Sequence, residues 1–189
     1  MKRNKIMSKI FLALVLLTTT VAMSQDEKLP YYEIPEPNEN YTAGSMASRM
    51  IDALGFRYYW ATEGLTATDL KYKASDSGRT SAETVEHIFG LSQFILNSIS
   101  KEDKKSKKEK LSVEAQRQQT LFNLKQASDI LRASEDLSQY DTPRLPFWNM
   151  INGPISDAIW HCGQLVTLRR ASGNPFNSKV NLFTGKLKH

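Results

Sequence analysis

The sequence predicts an all-α protein, a bundle of four helices with a long segment between the third and the fourth. Three observations carry this expectation. Apolar residues recur at helical spacing in four separate stretches, with no strand-like alternation to rival them. Capping residues stand ahead of several of those stretches. The chain has 189 residues, enough for one domain with a real core, and Cys162 is its sole cysteine, so core packing rather than an internal disulfide must hold it together.

Residues 1–24 read as a signal peptide. Lys2, Arg3, Lys5 and Lys9 form a basic start, Ile10 to Val21 an apolar or hydroxyl run, and Ala22-Met23-Ser24 a small-x-small cleavage site. The run is short for a bilayer, so the expectation is a periplasmic or secreted chain with no membrane span in its mature part. This segment holds four of the 25 basic residues and none of the 20 acidic ones. The mature part therefore has 21 basic against 20 acidic residues, a net charge of +1. The high isoelectric point is a targeting feature, and a nucleic-acid partner is excluded.

Residues 25–43 hold Pro30, Pro35 and Pro37 among tyrosines and acids, an extended N-terminal arm with Tyr31, Tyr32 and Ile34 available to dock it. The helical domain is expected over 44–189. Its first helix runs from Ser45 to about Leu65 on Met46, Met50, Leu54, Phe56, Tyr58 and Trp60, weakened slightly by Gly55. Ala74 to Gly78 is turn-rich. The second helix spans Thr80 to Ser100 behind a capping box of Thr80 and Glu83. Its stripe Thr84, His87, Ile88, Leu91 and Ile95 puts His87 on or beside the inward face. Lys101 to Lys110 is a solvated, lysine-rich loop. The third helix has Ser112 as N-cap, with Leu121, Leu124, Ile130 and Leu131 on its apolar side. Glu135 to Asn152 is the long segment, and Asn174 to His189 an irregular tail.

The fourth helix, Gly153 to Gly173, carries the chemistry. Pro154 fits a first turn, Ser156 and Asp157 a helix start, and Arg169, Arg170 and Gly173 a helix end. Asp157 and His161 are four residues apart, so they stack on one face. Cys162 lies about 100° round from His161 and reads as a small buried apolar residue. His87 looks inward from a different helix. Two imidazoles and a carboxylate on facing helices make a divalent metal site with open coordination positions. They equally make two satisfied core histidines beside a helix N-terminal acid. His189 is terminal and stands apart from this choice. The tyrosine and tryptophan set Tyr58, Tyr59, Trp60 and Trp148 fits either a pocket lining or a core, and Arg169 with Arg170 either an anion site or the helix dipole.

Helix two with its inward histidine, and the stretch PFWNMINGPISDAIWHCGQLVTLRRASGNP with VNLFTGK after it, resemble the DinB-like superfamily of four-helix-bundle proteins from about Ser45 onward. In that family a histidine of the second helix and an H-x-x-x-H pair on a later one hold a divalent metal. The resemblance implies that His87 and His161 are ligands, and that Asp157 stands where the family has the first histidine of the pair. It leaves zinc, nickel, iron and manganese all open. Glu83 is a spare ligand or a supporting residue, and Gln164 the better candidate to fix an imidazole or a bound water. The resemblance also implies a small-molecule substrate, since active relatives are thiol-S-transferases and a thiol-dependent isomerase. Export separates this chain from the cytosolic thiol pool, and metal-assisted hydrolysis suits the same residues. The competing reading is a non-catalytic helical bundle that binds a partner, with the metal absent or structural. A homodimer stays open in either case.

Overall fold

A computed structural model describes residues 29–100 and 111–188. The expected signal peptide, the lysine-rich loop at 101–110 and His189 lie outside these residues. The described chain is mostly helical. It runs α1 (Ala43–Thr62), α2 (Ala67–Lys71), α3 (Ser81–Ile99), α4 (Val113–Arg132), a 3-10 turn (Leu137–Tyr140), α5 (Phe147–Met150), a π turn (Ile151–Ile155) and α6 (Ser156–Ala171). No helix among the described residues is long and apolar enough to cross a membrane.

The long helices start where a side chain can take the free N–H groups of the first turn. Thr42 and Ser45 form a reciprocal capping box on α1, Thr80 and Glu83 form one on α3, and Ser112 caps α4. Both α1 and α3 pack against α4 and against α6. The layer between them is built from Ile51, Leu54 and Tyr58 of α1, Val85, Ile88 and Ile95 of α3, Leu121 and Leu124 of α4, and Leu165 of α6, all essentially fully buried. Each such aliphatic side chain contributes about 1.5–3 kcal/mol by leaving water. Met46, expected on the apolar side of the first helix, is instead 54% exposed.

The segment ahead of α1 is anchored on the helices, and Gly55 explains how. Tyr31 is buried with φ of 72°, and a Cβ on Gly55 would stand 2.5 Å from its ring. Gly55 therefore gives the ring its seat rather than simply weakening the helix. The Tyr31 hydroxyl donates to Oδ1 of Asp52 at 3.2 Å, and Ser128 of α4 donates to the same oxygen at 2.6 Å. Arg132 pairs with the other oxygen, so one buried carboxylate ties arm, α1 and α4 together. The indole N–H of Trp60 donates to the carbonyl of Tyr32 at 3.1 Å. The tail is less irregular than expected: Val180–Asn181 (β1) pairs antiparallel with Lys186–Leu187 (β2), and Gly185 accepts from the amide of Ile34 at 2.9 Å.

The expected start of the last helix needs correction. Helical backbone begins at Phe147, not Gly153, and Pro154 sits inside it. Pro146 precedes the first turn in extended conformation, and the Phe147 amide donates to Oδ1 of Asp141 at 2.7 Å. Pro154 has no N–H to return to the carbonyl one turn back, and the backbone widens into a π turn instead of ending. The hydroxyl of Ser156 donates to the Ile151 carbonyl at 2.7 Å. Backbone angles stay helical from Met150 through Ser156, so α5, the π turn and α6 form one continuous run.

Candidate metal centre

His87 sits two turns into α3, one residue before the fully buried Ile88 and three after the fully buried Thr84. That phase leaves its ring at the edge of the core, with 32% of the side chain exposed. Asp157 and His161 stand one turn apart on α6, with 43% and 11% of their side chains exposed. The packing of α3 on α6 brings the three together. His87 Nε2 lies 3.1 Å from Asp157 Oδ2, and His161 Nε2 lies 3.3 Å from Asp157 Oδ1. The two imidazole rings meet edge to face at 4.5 Å between centroids. One donor atom from each residue lies within 4.8 Å of the other two, so the three could hold a metal ion.

The donor set fits such an ion. Ligands about 2.1 Å from a tetrahedral zinc stand about 3.4 Å from one another; here each imidazole meets its own oxygen of Asp157 at 3.1 and 3.3 Å, and one donor atom from each residue lies within 4.8 Å of the others. Gln164, one turn past His161, supplies the next piece: its Oε1 lies 2.6 Å from His161 Nδ1. With the amide oxygen as acceptor, Nδ1 carries the hydrogen, and in the neutral ring the Nε2 lone pair then points towards a carboxylate. A lone pair and an anion 3.3 Å apart need a positive charge between or on them. A divalent cation meets that need at His161, and His87 can either offer its Nε2 lone pair to the same cation or donate Nε2–H to Asp157 Oδ2.

Asp157 falls in the first turn of α6, but α6 continues a longer helical run. The helical run starts ten residues earlier and is capped by Asp141, so Asp157 is not at a free helix N-terminus. Glu83 stays away from the centre. Its Oε2 takes the amide and hydroxyl of Thr80 at 2.7 and 2.9 Å, and the Thr80 backbone N–H chiefly holds its carboxyl below the usual range. Cys162 is buried, and burial pushes its thiol up to about 12, which removes it as a nucleophile.

The aromatic set lies elsewhere: Tyr58 is core, Tyr59 and Trp60 pack with Tyr32 of the arm, and Trp148 is exposed. Arg169 serves neither an anion nor only its own helix end. It is buried and donates to the carbonyls of Trp60 and Ala61 at 3.0 and 3.1 Å, capping the end of α1. A cleft of about 670 Å³ opens beside His161 and Gln164, walled by Trp160, Gly163 and Thr167 of α6 and by Arg79 ahead of α3. Neither Trp160 nor Arg79 stands out in the sequence as a site residue. The signal available for Trp160 is its place in the row Trp160, Gly163, Gln164, Thr167 along one helix face.

Comparison with protein-family models, with curated proteins and with solved structures finds no match for this chain.

Proposed function

We propose that this chain is an exported, DinB-like four-helix-bundle protein that holds a divalent metal through His87, Asp157 and His161. It acts as a metal-dependent transferase or hydrolase on a small molecule. The observation that carries the reading is the Asp157 carboxylate shared by His161 of its own helix and by His87, 70 residues away in sequence, with the His161 imidazole already oriented by Gln164. Neither a helix cap nor the burial of apolar area explains that arrangement.

When bound, such a metal lowers the pKa of a coordinated water or thiol and polarises a substrate oxygen. The chain's own residues do the rest. Asp157 offsets part of the added charge. Gln164 holds the His161 ring so that Nε2 faces Asp157. The exposure of Asp157 and the adjoining cleft favour a reactive site over a purely structural one, since structural sites are closed by protein ligands.

The test is a titration of chelated protein with zinc, nickel, iron(II) and manganese while thermal unfolding is followed. Metal bound by the folded chain alone raises the melting temperature by mass action. His87→Ala should remove most of that rise and keep the helical content. A metal response that survives both His87→Ala and Asp157→Ala rules the site out. Export is tested separately by N-terminal sequencing of the protein from its native host, with a start at or near Gln25 expected and an intact Met1 in the cytoplasm refuting it.

A further inference from the structure

The cleft beside His161 has three features that the fold does not explain. Trp160 stands in its wall 73% exposed, although an indole ordinarily gains by covering its faces. Gly163 lies mid-helix where an added Cβ would meet nothing within 4 Å. Packing therefore does not call for glycine there, and helix propensity opposes it. Its effect is a strip of bare backbone between Trp160 and Thr167, where a flat group can approach closely. Arg79, which also lines the cleft, is exposed and makes no hydrogen bond or ion pair among the described residues. The carboxylate whose charge it feels, Glu83, is already held by Thr80, and neighbouring Asp76 is taken by Lys73. A free guanidinium, an uncovered indole and a bare backbone floor around about 670 Å³ suit a small molecule rather than an ion.

We propose that this cleft binds a small organic anion with a flat apolar body. Arg79 takes the carboxylate or phosphate group, in the two-pronged manner that a guanidinium favours. Trp160 stacks on the body, which lies over Gly163 and next to His161. This deepens the metal-dependent reading by naming its substrate class. Only the reaction rests on that reading; the binding step needs no metal.

Ligand-observed NMR titration of the chelated full chain with benzoate, phenyl phosphate and benzyl alcohol tests it. At least one of the two anions should bind at least tenfold more tightly than the neutral alcohol, and the tighter anion identifies the head group. Arg79→Gln should weaken the anions about tenfold and leave the alcohol unchanged, the loss expected for one charge-assisted contact. Trp160→Ala should weaken all three. Both side chains are exposed, so both variants should keep the wild-type circular dichroism spectrum. Binding is read on chelated protein, so its failure is distinct from a failure of the metal titration that tests the site itself. Equal affinity for alcohol and anions, or anion binding untouched by Arg79→Gln or by Trp160→Ala, overturns it.

Discussion

Gln164→Leu asks whether His161 is a metal ligand without touching any ligand atom. Its Oε1 accepts from His161 Nδ1 at 2.6 Å and so holds Nε2 towards Asp157. A hydrogen bond to a group that gains charge is worth about 1.5–3 kcal/mol. Gln164 is exposed, so water replaces part of the lost bond, and the lower end applies. About 1.4 kcal/mol corresponds to tenfold in affinity, within the range of roughly 10- to 100-fold seen when a ligand's supporting partner is removed. Gln164→Leu should therefore raise the dissociation constant for zinc about tenfold, measured by competition with a chromophoric chelator. Gln164→Glu should tighten binding, because a carboxylate makes the imidazole a stronger donor to the metal. Asp157→Ala should cost more than Gln164→Leu, since it removes a ligand and its charge. Unfolding midpoints should move little in Gln164→Leu, as expected at an exposed site. If Gln164→Leu binds zinc like wild type while His87→Ala does not, His161 is not bound through Nε2 and the three-residue site is wrong.

Two glycines should respond in opposite directions to alanine. Gly55→Ala forces a Cβ against the Tyr31 ring, an overpacking cost of about 1–3 kcal/mol set against about 1 kcal/mol of helix propensity, so denaturant midpoints should fall. Gly163→Ala meets open space and should raise them by about 0.5–1 kcal/mol; a loss there would mean that the helix face is covered. Asp69 supplies an acid-sensitive element. Burial alone would raise its pKa, but hydrogen bonds from Ser172, Asn174 and Thr66 outweigh it and hold the carboxyl well below the usual range. Its contribution to stability is complete above the unfolded value near about 4 and is lost as pH falls through the lower folded value. Asp69→Asn should thus be less stable at neutral pH, with a flatter decline in denaturant midpoint below about pH 4. Cys162, with its buried thiol pushed up to about 12, should resist a thiol reagent in the native state and react fully once unfolded. Prompt native labelling would contradict its burial.

The features legible in the sequence are mostly local. Thr80 and Glu83 are three residues apart, and the capping box they form depends on nothing outside its own turn. The Ile88 and Ile95 stripe of α3 and the Leu121, Leu124 and Leu131 stripe of α4 are readable for the same reason. The short helix Ala67–Lys71 is not: five residues carry too little periodicity, and its Asp69 is anchored by Ser172 and Asn174 more than 100 residues away. The role of Arg169 is hidden likewise, because its acceptors belong to α1. Gly153-Pro154 misleads, since a glycine and a proline together read as a helix boundary. The chain instead absorbs the missing N–H in a π turn and runs on.

That misreading bears directly on the candidate site. With a start at Gly153, Asp157 falls in the first turn, where the helix dipole alone would account for an acid. With the start at Phe147 and Asp141 as its cap, Asp157 lies a full ten residues inside, and the dipole falls off within the first turn. Its side-chain contacts there are to His87 and His161, with 43% of the side chain in water. The i, i+4 pair of α6 is visible in the sequence, but it cannot by itself separate a ligand from a cap. What bears on the choice is the backbone upstream and the register of α3 against α6, both tertiary facts. A π turn placed directly before the pair widens the helix by one residue and so resets which face Asp157 and His161 present. Without it, residues from Ser156 onward would be rotated by about 100° relative to α5, and the same sequence would not aim the pair at His87.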